Sequence, residues 1–361
     1  MTTPSAIPER QSILGDMINT SQLENGLSVR SNNCAAVIAI RVNGVIVWNY
    51  VVDNPKAPIG QERSRLRFPI YSITKTLTAL CVLRLQKARL LHVEDSIARW
   101  LPDLALSESI TLSHLLRHTS GLPDYGPMPE YHRAVRDTPS SPWTTTQFLE
   151  VALQRGLLFE PGTGWSYSNI GYLLLRQVIE SACAKTFRDA LTEHVTAPAG
   201  LEDTFIAEEI RDWSSCVPGY GREVDVDGKP VDIRDRYHPG WCAPGVAVST
   251  VEDTTRLFDA VFAGELLDEE NLSSMLHLVR VPGNHPPAVT PSYGMGIMAD
   301  PDAPFGAWFG HGGGGPGYAV WCLMIPKSKL GRLAVAVFCN TSEGAPEQMA
   351  HEIIDHSLRA G

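Results

Sequence analysis

Apolar residues along this chain fall into two kinds of pattern, and the change from one to the other divides it. Residues 34–52 read CAAVIAIRVNGVIVWNYVV, two β-rich runs joined at Asn43-Gly44. That dipeptide takes positive φ at both positions without strain, so the segment is predicted to be a hairpin. Residues 317–326 and 331–340 give a second pair of strands around the turn-like KSKL, and a final helix is expected over 346–358, where Met349, Ile353 and Ile354 recur at helical spacing. Between these ends the period changes. Residues 74–90 carry a dense apolar block through Leu77, Leu80, Cys81, Leu83 and Leu85. Further helices are expected at 112–117, 146–154, 171–183, 187–196 and 250–262, with Pro- and Gly-rich loops between them. A short helix is also expected near 9–19, and an exposed loop or small ribbon over 219–236.

Strands at both termini and helices in the middle predict an α+β fold: one antiparallel sheet assembled from both chain ends, flanked by helices, with a mainly helical insertion. The expected division is an α/β lobe of residues 1–68 with 243–361 and a helical lobe of 69–242. Together they would make one catalytic domain with its site in the cleft between them.

Composition narrows the function. The chain has 361 residues, 43% apolar, and a formal charge of −10. A nucleic-acid partner calls for excess Lys and Arg against phosphates, and an anionic membrane surface calls for the same, so neither is expected. The N-terminal residues lack a basic start followed by an apolar stretch, and the longest apolar runs are too short to span a bilayer. The seven cysteines are odd in number, show no C-x-x-C, and mostly sit in apolar segments, which predicts buried reduced thiols in a cytoplasmic protein.

Three stretches carry reactive residue types. In Tyr71-Ser72-Ile73-Thr74-Lys75, Ser72 stands at the start of the long helix and Lys75 three residues on, so both face one side of its first turn. A serine hydroxyl becomes a nucleophile when a nearby base takes its proton, and a lysine in a partly dry site can do so. An N-cap serine beside a solvent-facing lysine would account for the same residues. In Tyr167-Ser168-Asn169, a Pro- and Gly-rich loop delivers a phenol and an amide just before another apolar helix. Tyr167 can shuttle protons beside a lysine, while Ser168 or Asn169 can equally be an N-cap. Residues 311–317, HGGGGPG, allow a backbone edge to approach a ligand closely. A phosphate loop needs a Gly-Lys-Ser/Thr ending, which is missing, and an H-G-G-G esterase motif belongs with a G-x-S-x-G elbow, which the chain lacks. A flexible loop is the remaining alternative.

The order S-x-x-K, Y-x-N, H-x-G before a C-terminal strand pair resembles the serine β-lactamase and penicillin-binding protein superfamily. The Tyr-x-Asn form looks like its class C branch, shared with D,D-carboxypeptidases, D-aminopeptidases and family VIII esterases. Segments 112–125 (LSHLLRHTSGLPDY), 159–175, 245–258 and 293–298 (YGMGIM) resemble that branch too, over roughly residues 35–340. The resemblance implies Ser72 as acylated nucleophile, with Lys75 and Tyr167 sharing the base and acid roles in an order left open. It implies Asn169, His311, Gly312 and Gly313 as substrate-binding, and the N–H groups of Ser72 and Gly314 as an oxyanion hole. The substrate would be a small-molecule or peptide ester or amide, with no cofactor and no metal. His311 stands in place of a lysine, and Gly312 where many relatives have Thr or Ser. Both departures weaken a β-lactamase reading, whose substrates carry a carboxylate, and suit esterases and D-amino-acid peptidases.

His114 and His118 have i, i+4 spacing, but Thr119-Ser120-Gly121 ends the helix there, so a metal pair is not expected. The tryptophans at 165, 241, 308 and 321 are candidates for pocket walls or for core. Loops 124–145 and 216–244 are expected to wall the cleft.

Overall fold

The computed structural model describes residues 23–24, 34–59, 65–104 and 106–359; the helix expected near 9–19 lies outside the described residues. The chain opens with the hairpin β1 (Ala36–Val42) and β2 (Val45–Val52). Its turn residues Asn43 and Gly44 have φ of 47° and 88°, the two positive values of a type I′ turn. A short strand β3 (Phe68–Pro69) leads to a 3-10 turn at Tyr71–Ile73, which runs directly into helix α1 (Thr74–Lys87). Helices α2 (Leu112–Leu116), α3 (Pro129–Asp137), α4 (Thr145–Leu153), α5 (Asn169–Cys183) and α6 (Phe187–Leu191) follow. Then come β4 (Phe205–Ala207), the ribbon strands β5 (Tyr220–Gly221) and β6 (Val231–Asp232), and β7 (Val246–Ser249). Helices α7 (Val251–Phe262) and α8 (Glu269–Met275) precede β8 (Val279–Arg280), β9 (Ser292–Tyr293) and β10 (Met298–Asp300). Strands β11 (Trp308–Gly315), β12 (Tyr318–Ser328) and β13 (Gly331–Cys339) and helix α9 (Pro346–Arg359) complete it.

One eight-stranded sheet, in the order β2-β1-β13-β12-β11-β10-β9-β8, is antiparallel throughout and draws on both chain ends. Its central strands do not alternate apolar and polar, because helices cover both faces. Val37, Ala39, Cys322 and Ala336 pack in the core that holds Leu257 and Phe258 of α7. Ile38, Ile40, Leu323 and Val335 pack with Met349, Ile353 and Ile354 of α9. All seven residues of β1 are therefore buried, including Arg41. Its guanidinium donates to the carbonyls of Gly44 (2.7 Å) and Glu252 (3.0 Å), which satisfies the charge and ties the strand to α7.

Helix α1 is buried nearly all round, which makes it a rigid support. Its entry is clamped by β7, which pairs with β3 and β4 in a second, three-stranded sheet. The Ile70 N–H donates to the Ala247 carbonyl (2.8 Å), and the Ala247 N–H donates to Thr74 Oγ1 (2.9 Å). Strand β7 and helix α3 are elements that local patterning did not predict. Strand β7 is held by its pairing with β3 and β4, whereas α3 starts at Pro129 and buries Val135.

The glycines at 312–315 are not a flexible loop. They are the last four residues of β11, paired with Trp321 through Tyr318 of β12. Strand β10 stops pairing at Gly310, so the end of β11 runs past the Tyr71–Ile73 turn instead. A Cβ on Gly313 would lie 2.3 Å from the Ile70 carbonyl oxygen, and one on Gly315 would lie 2.4 Å from the Tyr71 ring. Only bare backbone fits there.

Candidate active site

Ser72 sits in the 3-10 turn, one residue after Tyr71, whose φ of 40° is unusual for a bulky side chain. Such a conformation costs about 1–3 kcal/mol and persists only where the surroundings enforce it. Here the Tyr71 ring is wedged against Gly315 and its hydroxyl donates to the Pro316 carbonyl. The turn is thereby fixed against the end of β11.

Ser72 Oγ accepts from Lys75 Nζ at 3.2 Å and from Tyr167 Oη at 2.8 Å. Lys75 is 3% exposed, donates to Asn169 Oδ1 at 2.7 Å, and its Nζ lies 4.9 Å from the centre of the Tyr167 ring. Two stretches about 95 residues apart thus meet on one oxygen. The alternative of a solvent-facing lysine is overturned. The N-cap of α5 is Ser168, whose Oγ accepts from the Gly171 N–H and donates to the Pro123 carbonyl, so Asn169 is free to face Lys75.

Asp124 and His118 were not expected in this site, although both lie in a segment that carries the family resemblance. Asp124 accepts from the Asn169 backbone N–H (2.9 Å) and from its side-chain Nδ2 (3.2 Å), which points the amide oxygen at Lys75. Burial pushes the Asp124 carboxyl above the usual carboxylate range, opposed by those hydrogen bonds and by Lys75. His118 Nδ1 accepts from the Ser168 N–H (3.1 Å), and its ring lies 4.3 Å from that of Tyr167. Burial, then the charge of Lys75, holds His118 well below the ordinary histidine pKa, so it is a neutral prop. His114 caps α2 through Thr111, and among the described residues no His, Cys, Asp or Glu cluster has the form of a metal site.

The His311 side chain does not occupy the place expected of a substrate contact. It is fully buried, with Nδ1 donating to the Gly312 carbonyl (2.6 Å) and Nε2 accepting from the Tyr293 hydroxyl (2.9 Å). Burial drives its pKa down to about 3. Both ring nitrogens are used, so the ring braces β11 from behind. The glycine at 312 has its own cause: a Cβ there would lie 2.4 Å from the Trp321 indole. Trp321 fills the space that a Thr or Ser side chain would need.

Two cavities meet at Ser72 and Gly314. The larger, about 1000 Å³, is bordered by Tyr167, Gly312, Gly313, Trp321 and the acids Asp300, Glu347, Glu352 and Asp355. The smaller, about 420 Å³, is bordered by Lys75, Asn169, Tyr125, Tyr131 and Tyr237. Segments 124–145 and 216–244 do contribute walls to the smaller one. Trp321 lines the larger cavity, Trp165 and Trp308 line a neighbouring one, and Trp241 is fully buried core.

A serine shared between an amine and a phenol, on a fold of both chain ends around a helical insertion, defines the serine β-lactamase and transpeptidase type. The chain belongs to the Beta-lactamase family, whose model matches residues 28–358. Penicillin-binding protein 4* of Bacillus subtilis (strain 168) is 29% identical over 293 residues, 75% of this chain and 60% of that protein's length. Esterase EstB of Burkholderia gladioli is 31% identical over 186 residues, 47% of this chain and 44% of its own length. Among solved structures, a D-stereospecific amidohydrolase from Streptomyces sp. aligns with a TM-score of 0.76 at 24% identity, covering 95% of this chain and 97% of that one. The D-amino acid amidase from Ochrobactrum anthropi SV3 gives 0.75 at 24%, covering 96% and 98%. These structural likenesses establish the fold. Among the described residues, no helix is long and apolar enough to cross a membrane.

Proposed function

We propose that the protein is a serine acyl hydrolase that forms an acyl-enzyme on Ser72 and cleaves small-molecule or peptide esters or amides. The observation that carries this reading is the position of Ser72 Oγ, 3.2 Å from the amine of a buried lysine and 2.8 Å from a phenol. Ser72 Oγ attacks the carbonyl carbon and its proton passes to the Lys75–Tyr167 pair. The carbonyl oxygen gains charge and is held by the N–H groups of Ser72 and Gly314. The pair then protonates the leaving alcohol or amine as its bond to carbon breaks. Water repeats the sequence on the acyl-enzyme, releasing the acid and restoring Ser72. Asn169, held by Asp124, orients Lys75 and the substrate carbonyl group. Gly312 and Gly313 give the substrate a bare backbone edge, and His311 acts on it only through that edge.

The reading joins residues 69–242 to residues 1–68 with 243–361 as one catalytic domain, since Ser72 and Tyr167 come from one part and Gly314 from the other. The seven free thiols support a reducing, cytoplasmic setting.

A β-lactamase or D,D-carboxypeptidase is the second reading, favoured by similarity to a penicillin-binding protein and to a D-alanyl-D-alanine-carboxypeptidase/endopeptidase. Its substrates carry a carboxylate, and among the described residues lining the two cavities Lys75 is the sole Lys or Arg. That count favours esters and amides without one. Intact mass spectrometry after exposure to a p-nitrophenyl ester, a D-amino acid amide, nitrocefin or a fluorophosphonate tests both readings. Wild type is expected to acquire and clear an acyl adduct and to keep the phosphonyl one, while Ser72→Ala acquires neither. Full labelling of Ser72→Ala removes Ser72 from the mechanism. A persistent acyl adduct identifies a non-turnover sensor module, and preferential release to an added amine or alcohol identifies an acyltransferase.

A further inference from the structure

Away from Ser72 a third cavity, about 600 Å³, opens between α2, strand β8 and the loop that leads to Tyr167. It shares no lining residue with the two cavities at Ser72, and its charge has the opposite sign. Those two are lined by carboxylates and one lysine. This one is lined by Arg117, Arg280 and the imidazoles of His114 and His277 against a single carboxylate, Glu94. In a chain with a formal charge of −10, that local excess of cations does not follow from composition.

Arg117 is half-buried, and three of its five N–H groups are used. Nε donates to the His277 carbonyl (3.2 Å), Nη2 to the Ser274 carbonyl (2.9 Å) and Nη1 to Ser113 Oγ. All three acceptors are neutral. Burial lowers the Arg117 pKa, opposed by the charge of Glu94. Among the described residues neither Arg117 nor the exposed Arg280 of β8 forms an ion pair. A half-buried cation with neutral partners is stabilised by an anion that takes its remaining N–H groups. His114 adds a third donor. The Thr111 N–H donates to His114 Nδ1 (3.3 Å), which leaves the ring proton on Nε2. A Cβ on Gly162 would lie 3.3 Å from that nitrogen, so the bare glycine keeps the N–H uncovered. Half-buried Trp165 and Val279 make the apolar part of the wall, and the volume exceeds what a bare oxyanion fills. The Trp165 ring is held by His118 and Tyr293, with centroids 5.9 and 6.1 Å away. The loop itself is tied down, Gly162 N–H donating to the Thr119 carbonyl (2.8 Å) and Ser166 N–H to the His118 carbonyl (3.0 Å). The wall is therefore shaped before anything binds.

We propose that this cavity binds a phosphate monoester with an apolar or aromatic body, its phosphate held by Arg117, Arg280 and His114 and its body against Trp165 and Val279. Three separate donor side chains match the three terminal oxygens of a phosphate monoester, where a carboxylate offers two. The site lies outside the acyl-enzyme machinery and does not depend on the reading of Ser72.

Isothermal titration calorimetry at fixed ionic strength tests this with phenyl phosphate, inorganic phosphate, benzoate and phenol. Wild type is expected to bind phenyl phosphate saturably at one site and more tightly than the other three. Arg280→Ala should weaken that binding by about tenfold. Glu94→Gln should tighten it by about threefold, because the opposing charge is gone. Both side chains are exposed, so the thermal midpoint of each variant should match wild type. Glu352→Gln, on the rim of the larger cavity at Ser72, should leave the affinity unchanged. The proposal is overturned by an absence of saturable phenyl phosphate binding, or by equal affinity in wild type and Arg280→Ala. It is overturned equally if inorganic phosphate, benzoate or phenol binds as tightly as phenyl phosphate, or if Glu352→Gln shifts the affinity as much as Glu94→Gln.

Discussion

The two sides of Ser72 are built on opposite principles. On the helical side the groups that reach Ser72 are side chains: Lys75 and Tyr167 lie within hydrogen-bond distance of its Oγ, Asn169 holds Lys75, and Asp124 and His118 brace the backbone at Asn169 and Ser168. On the sheet side the last four residues of β11 have no side chains, and the one that precedes them, His311, turns its ring into the core. Proton transfer needs functional groups with adjustable charge, which only side chains supply. Binding a developing oxyanion and an extended substrate needs fixed N–H and C=O groups at close range, which a bare strand edge supplies. Substitutions on the two sides should therefore fail in different ways.

The largest effects are expected on the helical side. Lys75→Met and Tyr167→Phe should each slow acylation about 100- to 10,000-fold while leaving the fold intact, read as burst rate with a p-nitrophenyl ester and as an unchanged unfolding midpoint. A burst within a few-fold of wild type in either variant would exclude that residue from proton transfer. Next comes Gly314. A Cβ at this position meets nothing within 4 Å, so Gly314→Ala should keep stability and most activity. Gly314→Pro deletes the N–H and should cost about 100- to 1000-fold in turnover. If alanine and proline behave alike, the amide of residue 314 is not an oxyanion donor. A smaller loss, about 10- to 100-fold, is expected for Asp124→Asn, which weakens the hold on the Asn169 amide without touching Ser72. A kcat decrease with little change in the fluorophosphonate labelling of Ser72 would place Asp124 outside the positioning of Lys75.

The smallest expected effect concerns the brace behind the sheet edge, and its sign follows from burial. His311 is held down to about pKa 3 in the folded protein and returns to near 6.5 when unfolded. Below pH 6.5 the unfolded chain binds a proton that the folded one excludes. Its contribution is complete above that pH and declines by about 1.4 kcal/mol per unit as pH falls toward 3. Urea unfolding at pH 7 and pH 5 should therefore show wild type losing about 2 kcal/mol more than His311→Gln. Equal losses would mean that the ring takes up a proton in the native state.

The same contrast separates what could be read early from what could not. The Asn43-Gly44 hairpin, the strands on either side of residues 327–330 and the helix after Ser168 were legible because short-range chemistry dictates them: a turn that needs two positive φ values, a run of β-branched residues, a hydroxyl before an apolar repeat. Ser72, Lys75 and Tyr167 were legible as types in a known order. Strand β7 was missed because four apolar residues say little until they pair with β3 and β4. The glycines of 312–315 read equally well as a loop, since nothing local distinguishes an unhindered chain from one pressed between β12 and the Tyr71–Ile73 turn.

The amino-acid order by itself determined the fold class and most helices, because each is set by periodicity, and the order of three motifs offered Ser72, Lys75 and Tyr167 as candidates through a family resemblance. Tertiary structure alone decided that Lys75 is buried against Asn169, that Asp124 and His118 belong to the site, and that the His311 ring faces inward. Those outcomes depend on burial and on hydrogen bonds between residues dozens of positions apart. Their energies exist only once the sheet and the helices have closed around Ser72.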